Sequence, residues 1–328
     1  VLVTQPLPAV FTVDGSNFEQ IALQVYNYQY THVPVYNEFC THLGRTPDTV
    51  TRIEEIPFMP VELFKTHRVI ATGQPLSNIF ESSGTTGSVS SKHYVGDLGL
   101  YEQSFLTAFQ QFYGKPEDYV ILAMLPSYLE RSNSSLVYMA DKLIKLSNKR
   151  ESGFFMHLTE KLIIILNDLR MRKQKTILLG VTFALLDFAE QFRINFPDLI
   201  VMETGGMKGR REEMTRQEVH DKLTKAFGVP TIHSEYGMTE LLSQGYSYGN
   251  GVFKSPPWMR IIARDMYDPM RHLPPNQTGA VNVIDLANLH SCSFIATGDV
   301  GKVSEDGSFE ILGRMDNTEL RGCNLMYV

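Results

Sequence analysis

From about residue 119 onward, short continuous apolar runs alternate with amphipathic stretches of helical length. "YVILAML", "TILLGV" and "LIVMET" have the length and β-branched content of buried strands. "SSLVYMADKLIKLS", "HLTEKLIIILNDLRMRK", "FALLDFAEQF" and "REEMTRQEVHDKLTKAF" repeat their apolar positions at helical spacing. Strands separated by helices of this length predict βαβ units and a largely parallel sheet, with "PTIHSEYG" as a further strand. Upstream, "SNFEQIALQVYNYQY" predicts a helix capped by Ser16, and the proline-punctuated "TPDTVTRIEEIPFMPVELFKTH" wraps the core. Past residue 250 the texture changes to short strands with Gly, Pro and Asp-Gly turns: "WMRIIARDM", "GAVNVIDLAN", "SCSFIATGD", "GKVSEDG" and "FEILGR". The expected organisation is a helical region over 1–80, an α/β core over 81–250, a β-rich subdomain over 251–313 and a tail over 314–328.

The totals fit that picture. A chain of 328 residues with 43% apolar and 11% aromatic residues can bury a real core. Against 36 acidic residues stand 30 basic ones, so the net charge of −6 offers no basic footprint for nucleic acid. No apolar run approaches the roughly 20 residues of a spanning helix. The N-terminus lacks the basic, small-residue pattern of a signal peptide. Three widely spaced cysteines, Cys40, Cys292 and Cys323, fit a reducing compartment, and the expectation is a cytoplasmic protein.

The stretch Phe80–Val95, "FESSGTTGSVSSKHYV", packs four hydroxyl residues and two glycines into Ser82, Ser83, Gly84, Thr85, Thr86 and Gly87. Glycines let backbone N–H groups converge, and hydroxyls add donors, so such a loop suits phosphate oxygens. A solvated Ser/Gly linker has the same composition. The Gly-Lys-Ser/Thr ending of a common P-loop is missing. "GYSYG" (245–249) has the spacing of a hydrolase nucleophile elbow, but helical-looking "TELLSQ" precedes it and no helix follows. His220, His233, His272 and His290 form no metal-ligand spacing, and His233 reads as a satisfied strand-end histidine.

"SSGTTG" resembles the phosphate loop of the adenylate-forming enzymes, and four further motifs follow in that superfamily's order. "ETGGM" (203–207) is similar to the stretch whose backbone lines adenine, which implies that role for Gly205, Gly206 and Met207. "HSEYGMTE" (233–240) resembles the aromatic-Gly-x-Thr-Glu motif. That implies Tyr236, Gly237 and Met238 at the nucleotide, Thr239 on the α-phosphate and Glu240 on Mg²⁺. "ATGDVG" implies Asp299 at the ribose hydroxyls, and "GRMDNTELRGCN" implies a hinge with Arg314 near the ribose. The closer resemblance is to the acyl-protein synthetases of the luminescence fatty-acid reductase system (LuxE-type), and the more distant one to phenylacetate–coenzyme A ligases.

The resemblance implies the α/β large-domain fold of adenylate-forming enzymes, with the C-terminal small domain absent or truncated. It implies ATP and Mg²⁺ as cofactors, a carboxylic acid as substrate, and activation to an acyl-adenylate with release of pyrophosphate. The acyl group then passes to a protein cysteine as a thioester, with Cys323 as the candidate, for a partner acyl reductase. Where the superfamily's phosphate loop continues Gly-x-Pro-Lys, this chain has "GSVSSKH", so Lys92 or His93 stands in for the lysine. Two alternatives stay open: an acyl- or aryl–coenzyme A ligase, and a non-catalytic nucleotide- or acyl-binding subunit of a reductase complex.

Overall fold

The computed structural model describes residues 7–83, 89–127, 129–205 and 214–315. Two compact units emerge, Val1–Leu76 together with Pro257–Val328, and Ser77–Pro256.

The first unit opens with α1 (Phe18–His32) and α2 (Pro34–His42), followed by β1 (Met59–Pro60) and α3 (Leu63–Thr66). Ser16 is not the cap of α1. The Asp14 carboxylate instead accepts from the Ser16 and Asn17 amides and from the Ser16 hydroxyl, because a carboxylate can gather several donors at once.

The second unit begins with a ribbon of β2 (Asn78–Glu81) and β3 (Lys92–Val95), then α4 (Leu98–Tyr113). Asp97 caps α4 through the Gly99 amide. The strand–helix alternation follows: β4 (Val120–Met124), α5 (Ser135–Ser147), β5 (Gly153–Phe154), α6 (Thr159–Met171), β6 (Thr176–Val181), α7 (Thr182–Gln191), β7 (Leu199–Thr204), α8 (Arg216–Phe227) and β8 (His233–Tyr236). Parallel pairing joins β5 to β4, β4 to β6, β6 to β7 and β7 to β8. Every residue of β4 and β6 is buried, which is why they read as unbroken apolar runs. Thr215 and Glu218 form a capping box at the start of α8, and Gly228 ends it in the left-handed region. The second unit ends in β9 (Gly245–Ser247) and β10 (Phe253–Lys254), antiparallel to each other, with β9 antiparallel to β8. Ser247 is buried within β9, so the elbow pattern has no exposed nucleophile. "TELLSQ" is a buried turn rather than a helix, with Leu241 N donating to the Met238 carbonyl.

The chain then returns to the first unit with β11 (Met259–Arg264), β12 (Thr278–Asp285), β13 (Phe294–Val303) and β14 (Phe309–Arg314), an antiparallel meander to which β1 adds in parallel along β13. Where the sequence predicts two strands around "ATGDVG", one ten-residue strand runs through it. Tyr26, Tyr36 and Phe294 pack as a buried aromatic cluster beside it. The Tyr36 and Tyr26 hydroxyls donate to the Pro57 and Arg45 carbonyls, as buried phenols must find acceptors. Fully buried Gln29 donates to the Asn288 and Leu289 carbonyls and accepts from Ser293 N, tying α1 to the β12–β13 connection. Phe183, Met202, Trp258 and Met259 are all buried and belong to the core of their own units.

Candidate functional site

In the Ser77–Pro256 unit, the hydroxyl-rich run lies between the two strands of the β2–β3 ribbon. Glu81 pairs with Lys92, Ser82 N donates to the Ser91 carbonyl, and Ser82 Oγ accepts from Ser91 N at 2.9 Å. Ser82 therefore closes the ribbon, and Ser83 follows it as an exposed residue. Gly84, Thr85, Thr86 and Gly87 lie outside the described residues.

Ladder register separates the two candidate lysine substitutes. Residues directly opposite across an antiparallel pair share a face. Phe80 and His93 therefore point inward, both fully buried, while Glu81 and Lys92 point outward. Lys92 Nζ stands 3.6 Å from Glu81 Oε1 with half its side chain exposed. His93 Nδ1 lies 2.8 Å from the Thr239 carbonyl oxygen. A carbonyl only accepts, so Nδ1 carries the proton. His93 thus ties the ribbon to the Tyr236–Glu240 segment. Nothing in the sequence pattern marks that role.

The remaining motifs of this unit sit at the carboxyl ends of parallel strands, where open α/β sheets bind their ligands. At the end of β7, Gly205 takes a φ of 71°, a left-handed value that favours glycine. Thr182, the first residue of α7, donates to Glu203 Oε2 at 2.9 Å and also bonds the Gly205 carbonyl. Burial alone would raise the Glu203 carboxyl. His220, whose Nε2 stands 3.8 Å from Glu203 Oε1, the neighbouring Ser234 and the hydrogen bond from Thr182 outweigh that and hold it below the usual range. Gly206 and Met207 lie outside the described residues.

At the end of β8, half-buried Tyr236 meets the Phe253 ring edge-on at 6.1 Å. Gly237 is exposed, Met238 and Thr239 are half-buried, and Glu240 is buried in the turn that follows. A Cβ on Gly237 would stand 2.5 Å from Glu235 Oε1, so the chain crosses directly over that carboxyl. Any larger residue there would have to displace that carboxyl.

Glu235 is a site feature the motif comparison passes over. Buried beside the turn, its carboxyl is pushed up to about 7 by burial and by the nearby Glu203 charge, against a hydrogen bond from Thr204. It faces Thr204 on β7, Tyr246 on β9 and Tyr113 on α4. Between about pH 4.5 and 7 the folded chain holds a proton here that the unfolded chain has released, so stability falls as pH rises through that window. A shift of this size corresponds to ~3 kcal/mol. His233, whose Nδ1 is 3.2 Å from the Tyr113 hydroxyl, acts in the opposite sense. Burial depresses it to about 4 from 6.5, so its contribution rises with pH over that range. The two slopes offset each other in the wild type. Glu235→Gln removes only the falling one. The variant is expected to match wild type near pH 4.5 and to exceed it above about pH 7. Urea midpoints across that range check this, and parallel curves for the two proteins would contradict it.

In the unit Val1–Leu76 with Pro257–Val328, Asp299 and Arg314 are brought together. They pair across β13 and β14, and Arg314 Nε donates to Asp299 Oδ1 at 3.1 Å. Asp299 is buried, whereas three quarters of the Arg314 side chain is exposed. Cys323 lies outside the described residues. The other two thiols are buried: Cys40 is pushed up to about 12 by burial, and Cys292, fully enclosed, is raised further still. Neither is a nucleophile in the folded state.

Among the described residues, no group of three or more His, Cys, Asp or Glu could hold a metal ion, and no helix is long and apolar enough to cross a membrane. A single buried carboxylate such as Glu240 nonetheless fits Mg²⁺, which is ordinarily held by one or two carboxylates with phosphate oxygens and water.

No family model matches the chain. Over 340 residues, spanning 92% of this chain and 84% of the relative, it is 23% identical to the long-chain-fatty-acid–luciferin-component ligase of Vibrio harveyi. To the protein of the same description from Photorhabdus luminescens it is 26% identical over 85 residues, 26% of this chain and 72% of that one. Among solved structures, 2-hydroxyisobutyryl-CoA ligase with its adenylate and CoA superposes with a TM-score of 0.66 at 16% identity, over 94% of this chain and 71% of that chain. ATP-bound MatB from Rhodopseudomonas palustris gives 0.54 at 20% identity over 75% of this chain, which covers only 49% of MatB. Over nearly its whole length the chain is thus similar to a long-chain-fatty-acid–luciferin-component ligase, and it is built on the α/β large-domain fold of the adenylate-forming ligases.

Proposed function

We propose that this chain activates a long-chain fatty acid with ATP, forming an acyl-adenylate and pyrophosphate, and then carries the acyl group on its own cysteine as a thioester for a partner acyl reductase. The carrying observation is the ribbon of Ser82 bonded through His93 to the Thr239 carbonyl at 2.8 Å. That bond fixes the ribbon from which the hydroxyl-rich run continues against the Tyr236–Glu240 segment, which supports the reading. Likeness to the Vibrio harveyi ligase supports the choice of acid.

In this reading the acid's carboxylate attacks the α-phosphorus and pyrophosphate leaves. Two anions must meet, so the protein's work is positioning and charge neutralisation. Residues Ser82–Gly87 hold the β- and γ-phosphates, with Lys92 at the ribbon's outer face, and Thr239 orients the α-phosphate. Tyr236, Gly237 and Met238 with Gly205, Gly206 and Met207 receive adenine. Asp299 and Arg314 take the ribose hydroxyls. Glu240 would hold Mg²⁺, whose chemistry is to neutralise phosphate charge.

Carboxylate-dependent ATP–pyrophosphate exchange over a panel of fatty and aromatic acids tests the reading. Exchange is expected with long-chain fatty acids. Exchange with aromatic acids alone would move the assignment to an aryl ligase. ATP binding without exchange for any acid would favour a non-catalytic subunit.

A further inference from the structure

Arg264 is a buried guanidinium at the end of β11, only 8% exposed, with no place in any of the motifs above. Charged side chains are seldom enclosed unless their donors are matched. Its partners explain its position. Nη1 donates to the Val281 carbonyl at 2.8 Å and to Asn282 Oδ1 at 3.0 Å, and Nη2 donates to the Thr297 carbonyl at 3.0 Å.

Both carbonyls belong to a break in the β12–β13 ladder. Ala280 pairs with Val300 and Asn282 with Ala296, so the single residue Val281 stands opposite Thr297, Gly298 and Asp299. A bulge of this kind disrupts the ladder, leaves backbone groups unpaired and re-aims the side chains it carries. Thr297 Oγ1 donates to the Val281 carbonyl at 2.8 Å and accepts from Asp299 N at 3.1 Å. An unbroken chain of bonds therefore runs from the guanidinium through Val281 and Thr297 to the Asp299 amide.

We propose that Arg264 is a positioning residue for Asp299: by filling the carbonyls that the bulge leaves open, it fixes the one bulge geometry that presents the Asp299 carboxylate to the nucleotide ribose. The ribose assignment rests on the function proposed above. The bracing of the bulge does not. Lysine cannot replace the arginine here, because one ammonium lacks the planar fork that reaches two carbonyls on separate strands.

Two variants and two readouts test this. Arg264→Lys keeps the buried charge, and Thr297→Val breaks the same chain of bonds while leaving Arg264 in place should the lysine variant fail to fold. In nucleotide-free protein, hydrogen exchange at the Asp299 amide is expected to quicken about tenfold in both variants, roughly the worth of one hydrogen bond, with the Val283 and Ile295 amides unchanged. In binding titrations, wild type is expected to favour ATP over 2′-deoxy-ATP or 3′-deoxy-ATP. Both variants should lose that preference while binding the deoxynucleotides as before. An unaltered Asp299 exchange rate, or equal weakening of all three nucleotides, overturns the proposal. A wild type that binds no nucleotide sinks the ribose reading alone, because amide exchange still decides whether Arg264 sets the bulge.

Discussion

Supplied with a long-chain fatty acid, ATP and Mg²⁺, the wild-type protein is expected to become acylated in a bond that neutral hydroxylamine cleaves, and Cys323→Ser is expected to abolish that labelling. The thiolate attacks the carbonyl carbon of the acyl-adenylate, the thioester forms and AMP leaves with the bonding pair of the broken C–O bond. The chain has three thiols. Cys40 and Cys292 are enclosed and held protonated by burial, so they lack both access and nucleophilicity. Cys323 is the candidate that remains. Exchange of pyrophosphate precedes the thiol and should persist in the variant. Labelling that survives Cys323→Ser would remove the cysteine step. Transfer to free coenzyme A at an undiminished rate would point instead to a coenzyme A ligase.

Glu240→Gln is expected to lower the same exchange reaction by about 10²–10³-fold, the usual cost of losing one charge-stabilising group at a reacting centre. Glu240 is buried at the end of the turn that follows β8. An amide of the same shape keeps the packing there and removes the charge. Raising Mg²⁺ should recover part of the loss if the carboxylate serves the ion, whereas a loss insensitive to Mg²⁺ would assign Glu240 a role in holding the turn. Unchanged exchange would take Glu240 out of the site. A urea transition close to wild type separates either result from unfolding.

The alternation of buried strands and amphipathic helices is written locally, because β4 and β6 are enclosed on both faces and so read as short apolar runs. "VILAM" and "TILLGV" are therefore legible without any partner in view. Order along the chain is likewise enough to identify the motifs around Ser82, Gly205, Tyr236, Asp299 and Arg314, since each is a short run of specific residue types. Polar side chains in the core are another matter. "TELLSQ" has helical composition, yet it folds as a buried turn between β8 and β9. Lys92 and His93 stand next to each other in sequence, and only the pairing of β2 with β3 turns one outward and the other in toward Thr239. "SCSFIATGD" reads as a short strand, and only the registers of β12 and β13 make its end a bulge whose open carbonyls call for Arg264. The sequence by itself determined the alternation of elements and the residue types of the motifs, because hydrophobic period and composition act over a few neighbours. Tertiary structure alone decided which carboxyls lose water, which carbonyls lose their ladder partners and which side chains answer them, because those are set by residues dozens to hundreds of positions apart.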